Sequence, residues 1–126
     1  MTDMFLPITT LLASTLLAWL LVLSFWVIRL RQSGGASLGD GDDETLRRRI
    51  RAQANLTEYA PLFVILIAVL ELQNGNAVIL ALLSVVFCLG RLAHGYSLAF
   101  TDGNAIGRVG GMGLTLAASG LAVVYG

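Results

Sequence analysis

Arg51, Asn55 and Glu58 lie in a short polar segment that leads directly into a long apolar stretch. At 3.6 residues per turn these side chains share one face of a helix with Arg48. Arg51 and Glu58 are two turns apart, about 10 Å along the axis, which is too far for a direct ion pair. An arginine binds a carboxylate through two hydrogen bonds, and a glutamate can accept from an ammonium group. This spacing therefore suits a zwitterionic peptide held at both ends.

The same residues also allow a purely structural interpretation. Arg51 would then extend to the lipid head groups, and Glu58 would be neutral or paired with a neighbouring helix. An ionisable side chain in lipid is costly unless it has a partner or faces a cavity. Asn55 on the same face favours a binding site.

Two further polar positions lie in later apolar stretches. Arg91 and His94 share a helix face, although such pairs are also common in an interfacial belt. Arg108 lies one turn into the last stretch, where an anchor for the positive side of the membrane is the simpler interpretation. Its chemical interest is that a guanidinium at the rim of a low-dielectric pocket lowers the pKa of a thiol and stabilises the nucleophilic thiolate. Cys88 is interpreted as a small core residue rather than as the nucleophile.

Four uncharged apolar stretches must position these residues. Of the 126 residues, 56% are hydrophobic and 13% are charged, whereas ordinary soluble domains carry about 25% charged residues. Each of the four helices predicted from these stretches contains the roughly 20 residues that a membrane span needs. We therefore predict an all-α membrane protein, a four-helix up-and-down bundle in a single domain over residues 1–126. The predicted helices lie at about 5–28, 44–72, 77–100 and 105–125.

The arginines predict the orientation of this bundle. All eight basic residues are arginine, and they flank only the first and third connections between helices. The positive-inside rule places those connections in the cytoplasm and both termini on the opposite side. The first stretch, Met4 to Ile28, is too long for the apolar region of a signal peptide and has no basic residue before it, so we predict a retained membrane helix.

Composition also excludes several classes of function. The formal net charge is zero, which argues against nucleic-acid binding, since that requires a basic surface. The histidine and cysteine content, one residue of each, provides no set of metal ligands. A single cysteine cannot form an intrachain disulfide.

The segment from Arg51 to Phe63, R-A-Q-A-N-L-T-E-Y-A-P-L-F, closely resembles the signature of the MAPEG family. These are the membrane-associated proteins of eicosanoid and glutathione metabolism, and the resemblance is nearest to the leukotriene C4 synthase and microsomal glutathione transferase type. It implies a homotrimer of four-helix protomers in the lipid bilayer. It also implies that glutathione binds as a co-substrate between adjacent subunits, near the cytoplasmic leaflet and without a metal.

The resemblance further implies roles for individual residues. The implied glutathione-binding positions are Arg29, Arg48, Arg51, Gln53, Asn55, Glu58, Tyr59, Arg91 and His94. Arg108 corresponds to the arginine that stabilises the thiolate, which makes it the expected catalytic residue. The sequence departs from the family pattern at Tyr96, which follows His94 by two residues and should turn away from the Arg91 and His94 face. No aromatic residue follows Arg108 within one turn, so we expect a wider substrate groove than in the eicosanoid enzymes.

Taken together, these features predict a glutathione-dependent membrane transferase, with peroxidase activity as a variant, that acts on a lipophilic electrophile in detoxification. One alternative is a non-catalytic lipid-binding or scaffold member of the family. A small multidrug exporter is less favoured, because Met4 to Ile28 lacks the acidic residue that such exporters carry in their first membrane helix. Short loops and the absence of lysine favour a bacterial inner membrane.

Overall fold

The computed structural model describes residues 5–34, 43–101 and 105–126. These residues form four α-helices, namely α1 (Pro7–Gly34), α2 (Glu44–Leu72), α3 (Ala77–Phe100) and α4 (Ala105–Tyr125). Each helix is long and apolar enough to cross a membrane. The prediction of an all-α membrane protein with four helices is therefore confirmed. The sequence predicts a loop over 32–43 and a turn over 101–104, and residues 35–42 and 102–104 of these segments lie outside the described residues.

Helix α1 continues beyond its predicted end near Ile28, as far as Gly34. The additional residues include Arg29, Arg31 and Gln32, which have high helix propensity. Arg31 lies in the last turn, where a cation interacts favourably with the helix dipole. The change from apolar to polar residues marks the edge of the membrane and does not mark the end of the helix.

Local caps fix the ends of the central helices. Asp43 Oδ1 accepts hydrogen bonds from the amides of Thr45 (2.9 Å) and Leu46 (3.2 Å) at the start of α2. Asn76 caps α3 in the same way. Between α2 and α3, Asn74 adopts a positive φ of 60°, and this tight turn makes the two helices an antiparallel hairpin, as the sequence predicts.

The arginine-rich end of the bundle comprises the end of α1, the start of α2, the end of α3 and the start of α4. Helix α3 contacts the other three helices, so it is the centre of the packing. Its Phe87 ring stacks on that of Phe63 from α2, with centroids 3.9 Å apart and an interplanar angle of 3°. The polar side chains of α3 are thereby placed between α2 and α4.

Helices α3 and α4 touch through their backbones at two glycines. A Cβ built on Gly111 would lie 2.6 Å from both the Gly90 carbonyl oxygen and the His94 amide nitrogen. A Cβ on Gly90 would lie 2.7 Å from the Gly111 carbonyl oxygen. Small residues let membrane helices approach closely enough for dispersion forces to hold them together. This contact sets the separation of α3 and α4 near the arginine-rich end.

At the opposite end of the bundle, the Glu71 carboxylate connects two helices, a contact that the sequence did not indicate. Glu71, near the end of α2, accepts hydrogen bonds from the amides of Ile8 (3.0 Å) and Thr9 (2.9 Å) and from the Thr9 hydroxyl (2.8 Å). The first amides of α1 have no partner within their own helix. Glu71 therefore caps α1 from another helix and ties α2 to it.

Replacing Gly111 by alanine should destabilise the bundle, because the added methyl group must push α4 away from Gly90 and His94. We expect a loss of about 1–3 kcal/mol of folding free energy, as is typical of overpacking, and a lower Tm in detergent by circular dichroism. Gly110→Ala is the matched control, since its Cβ would meet nothing within 4 Å in the described part of the chain. Equal Tm values for the two variants would contradict the backbone contact.

Replacing Glu71 by alanine should also lower the Tm, since the Ile8 and Thr9 amides lose their acceptor. Unsatisfied buried donors cost about 1–3 kcal/mol. Glu44→Ala is the control, because the exposed pair of Glu44 with Arg47 (2.9 Å) is worth about 0–1 kcal/mol. A Tm for Glu71→Ala as high as that for Glu44→Ala would show that the cap does not stabilise the fold.

Candidate functional site

A crevice opens at the arginine-rich end, between the first half of α2, the second half of α3 and the first half of α4. Its volume is about 540 Å³, within the range of small-ligand pockets, about 300–1,000 Å³. The lining residues are Arg51, Asn55, His94, Leu98, Arg108, Val109, Met112, Gly113 and Leu116. We call this space the crevice below.

Polar side chains from three helices converge on the crevice. Arg51 and Asn55, one turn apart, come from α2; His94 comes from α3 and Arg108 from α4. His94 is buried, with 5% of its surface exposed, whereas Arg51 and Arg108 are exposed to the crevice and its opening. The structure thus brings together four of the residues that the sequence analysis selected from separate segments.

Arg91 lies directly behind the crevice and is the largest fully buried side chain in the described structure, with 2% exposure. Its Nε donates to Thr115 Oγ1 at 2.9 Å, and its Nη1 donates to the Asn55 carbonyl oxygen at 3.4 Å. Its Nη2 lies 3.8 Å from Met112 Sδ, and its guanidinium carbon lies 5.1 Å from the centroid of the Tyr59 ring. Arg91 therefore joins α3 to α2 and to α4.

The partners of Arg91 are all uncharged. Two are oxygen acceptors, one is a thioether, and one is the electron-rich face of an aromatic ring, which attracts cations. They satisfy hydrogen bonds of the guanidinium without neutralising its charge. Arg91 thus adds a positive charge behind the wall formed by Asn55 and Met112, where the low dielectric of the bundle weakens screening.

The lining of the crevice combines cationic and apolar side chains. Of the described residues that line it, two are arginines and none is acidic. Leu98, Val109, Met112 and Leu116 provide the apolar surface. Such a space suits a ligand that carries carboxylates at one end, with room beside it for an apolar reactant.

Glu58 and Tyr59, which the resemblance assigned to glutathione, lie just outside the crevice on α2. Glu58 is exposed on the protomer surface. Tyr59 is 37% exposed and places its ring against Arg91. Both residues are adjacent to the crevice within one protomer, but neither lines it.

Three other positions from the resemblance lie elsewhere in the protomer. Arg29 is exposed on α1. Gln53 donates from Nε2 to Ser24 Oγ at 2.6 Å, and so ties α2 to α1. Arg48 lines a separate cavity at the start of α2. Arg48 and Arg51 share a broad helix face, but the packing of α3 and α4 divides that face between two cavities.

Tyr96 is exposed and packs against Phe100, with ring centroids 5.5 Å apart. Tyr96 therefore faces away from the crevice, as the spacing from His94 predicts. Among residues 5–34, 43–101 and 105–126, no group of three or more His, Cys, Asp and Glu side chains could hold a metal ion.

Met112 and Thr115 also belong to the site, although the sequence did not indicate them as site residues. They follow Arg108 by four and seven residues, so helical spacing alone places all three on one face of α4. Thr115 Oγ1 both accepts from Arg91 and donates to the Gly111 carbonyl oxygen at 2.9 Å. The helical spacing from Arg108 could therefore have indicated both residues. The contact of Thr115 with Arg91 could not be predicted, because Arg91 lies on another helix.

Comparison with known proteins shows the family of the chain that forms this site. The model of the MAPEG family matches residues 9–126. The chain belongs to the MAPEG family. The resemblance carried by the segment from Arg51 to Phe63 is thereby confirmed. Membership associates this MAPEG protein with glutathione-related or lipid-related metabolism in membranes, in a family that contains both enzymes and non-catalytic members.

Similar curated proteins are bacterial. Inner membrane protein YecN of Escherichia coli strain K12 is 32% identical over 77 residues, which cover 61% of this chain and 59% of that protein. YecN of Escherichia coli O6:H1 gives the same values. The matched region thus spans less than two thirds of these relatives. No solved structure gives a significant match. Four apolar helices and an inner-membrane relative show that this MAPEG protein is a multi-pass integral membrane protein.

Replacing Thr115 by valine should test the support that Arg91 gives to the crevice. The isosteric change removes the acceptor of Arg91 Nε, and an unsatisfied buried donor costs about 1–3 kcal/mol. We therefore expect a lower Tm in detergent. Thr57→Val is the matched control, because the exposed Thr57 hydroxyl bonds only to the Ala54 carbonyl of its own helix (2.8 Å) within the described contacts. Indistinguishable Tm values for the two variants would argue against the Arg91 link.

Proposed function

We propose that this protein is a glutathione-dependent membrane transferase that joins the glutathione thiolate to a lipophilic electrophile. The observation that carries the proposal is the convergence of Arg51 and Asn55 with Arg108 on one crevice whose lining also includes apolar side chains. Family membership adds support, because glutathione metabolism is one of the functions that name the MAPEG family.

Glutathione matches the charges around the crevice. The tripeptide carries two carboxylates and one ammonium group, and guanidinium groups bind carboxylates in a bidentate manner. Arg51 and Asn55 would hold one end of the tripeptide, and the positive charge of Arg91 behind Asn55 would add to the attraction. Glu58, exposed on the adjacent turn, would accept from the ammonium group.

A homotrimer would complete this site. Arg29, Glu58 and Tyr59 lie on the exposed surface of the protomer, outside the crevice formed by Arg51, Asn55, His94 and Arg108. If the tripeptide binds between adjacent protomers, these exposed positions become available to the same ligand. We therefore propose that the protein acts as a trimer, with glutathione as co-substrate at each subunit boundary.

Arg108 would be the catalytic residue. A fixed guanidinium beside the sulfur stabilises the thiolate over the thiol, and this stabilisation is stronger where water is excluded. The thiolate sulfur attacks an electrophilic carbon, an S–C bond forms, and the leaving group departs with the electron pair. Holding both reactants together supplies much of the remaining rate enhancement. Reduction of a lipid hydroperoxide to an alcohol, with a second glutathione forming the disulfide, is a variant that needs the same thiolate.

The apolar residues that α4 contributes to the crevice would admit the second reactant from the bilayer. Val109, Met112 and Leu116 follow one another along α4, and the lining includes Gly113, which has no side chain. A lipophilic electrophile can therefore enter along α4 at membrane depth. The positive-inside rule would place the arginine-rich end in the cytoplasm, where glutathione is available, and the relatives favour a bacterial inner membrane.

Arg108→Ala should lower the rate of glutathione conjugation to chlorodinitrobenzene by roughly 10²–10³-fold, the usual effect of removing one preorganised charge-stabilising group. The rate is measured by absorbance with detergent-purified protein. Arg47→Ala is the control and should retain the full rate, because Arg47 pairs with Glu44 on the exposed surface and does not line the crevice.

Two results would count against this proposal in different ways. An unchanged rate for Arg108→Ala would remove Arg108 from the mechanism while leaving glutathione binding open. Absence of binding heat in calorimetry at millimolar glutathione would instead favour a non-catalytic lipid-binding or scaffold protein.

A further inference from the structure

A second polar cavity lies at the arginine-rich end, between the first turns of α2 and the end of α3. Its volume is about 420 Å³. Its lining residues are Thr45, Arg48, Arg49, Ala99, Phe100 and Thr101. We call it the α2–α3 cavity. It shares no lining residue with the crevice, and the proposed transferase reaction does not use it.

Arg49 is held in a fixed position at this cavity. Its Nε donates to the Ala99 carbonyl oxygen at 3.2 Å, and its Nη1 donates to the Trp26 carbonyl oxygen at 3.4 Å. Its guanidinium carbon lies 5.5 Å from the Trp26 ring centroid and 5.4 Å from that of Phe100. These contacts connect α2 to α1 and to α3, so the guanidinium is positioned before any ligand arrives.

The contacts of Arg49 leave its charge in place. Both acceptors are neutral carbonyl groups and both rings are uncharged, so none of them neutralises the cation. A guanidinium has five N–H donors, and the two bonds to Ala99 and Trp26 use only some of them. Arg49 therefore retains both charge and donors for a further partner.

Asp43 and Glu44 are the acidic side chains that the structure describes at the start of α2, and both are engaged by other groups. Asp43 accepts from the amides of Thr45 and Leu46, and Glu44 pairs with Arg47 at 2.9 Å. Of the described lining residues of the α2–α3 cavity, two are arginines and none is acidic. Thr45 also carries a hydroxyl group, whereas the Thr101 hydroxyl already donates to the Ser97 carbonyl oxygen. The lining is therefore complementary to an anion that has several oxygen acceptors.

We propose that the α2–α3 cavity binds the phosphate group of an anionic phosphate ester, and that the headgroup of an anionic phospholipid supplies it. Arginine forks match the oxygen geometry of phosphate. The cavity lies in the polar first turns of α2, where Arg49 packs on the ring of Trp26, and tryptophan is enriched at the level of the lipid head groups. Basic pockets between helices at this level bind anionic headgroups. This assigns Arg48 to the phosphate site and not to glutathione.

Native mass spectrometry of the full-length protein in detergent tests the proposal, with phosphatidylglycerol and phosphatidylcholine as probes. The choline cation would be repelled by the two arginines, so the wild-type protein should bind phosphatidylglycerol roughly tenfold more tightly. Arg48→Gln should reduce that preference by roughly fivefold, the effect of one arginine near an anionic lipid surface. Arg47→Gln removes the same charge one residue away, outside the cavity lining, and should change the preference less than twofold.

A second variant and a soluble probe complete the experiment. Arg49→Lys keeps the positive charge but loses the planar guanidinium fork, so it should also weaken phosphatidylglycerol binding. If circular dichroism shows that Arg48→Gln is unfolded, Arg49→Lys takes its place in the test. Inorganic phosphate distinguishes the two sources of the ligand. Weak binding of phosphate supports the lipid headgroup, whereas binding as tight as that of phosphatidylglycerol supports a soluble phosphate ester at the same site.

Two outcomes would overturn the assignment. Equal binding of the two lipids would show that the cavity does not select an anion. Equal losses for Arg47→Gln and Arg48→Gln would show that the preference comes from the diffuse positive charge of the whole surface. Neither outcome depends on glutathione binding or on the transferase rate.

Discussion

The backbone contact between α3 and α4 at Gly90 and Gly111 is the constraint on which the site depends. In a bilayer, lipid tails are as apolar as leucine side chains, so burial alone does not pull helices together. Close approach through small residues supplies the missing attraction. At this separation the Arg91 guanidinium reaches Thr115, and His94 and Arg108 face the same space. A single methyl group at Gly111 would disturb all of these relations.

Buried Arg91 then places a positive charge behind the wall that the packed helices form at the crevice. Taking a guanidinium out of water is costly unless its hydrogen bonds are satisfied. Arg91 meets this requirement with neutral partners on α2 and α4, so its charge persists behind the crevice. The same arrangement recurs at Arg49, which is held by carbonyl groups and aromatic rings. In both places the fold orients a cation without neutralising it, which prepares the protein to bind anions.

The two cavities at the arginine-rich end are suited to different ligands. Arg51 and Arg108 line the crevice, whose apolar residues suit a reaction with a lipophilic partner. Arg48 and Arg49 line the α2–α3 cavity, which we assign to an anionic headgroup. The protein would thus bind its co-substrate and its surrounding lipid through neighbouring but separate sets of arginines. Exposed Glu58 and Arg29 would be available to glutathione at the subunit boundary of the proposed trimer.

The sequence by itself determined the helices, their number and the family, because apolar length and one polar motif depend only on neighbouring residues. The residues themselves indicated a binding site at Arg51 and Asn55, and the resemblance to the family added His94 and Arg108. The sequence did not separate Arg48 from Arg51, since both lie on the same broad face of α2 and only the positions of α3 and α4 divide that face. The Glu71 cap, the Gly90–Gly111 contact and the Thr115 partner of Arg91 each join residues on different helices. Such pairs produce no periodic pattern in the sequence, so only the tertiary structure determines which residues are in contact.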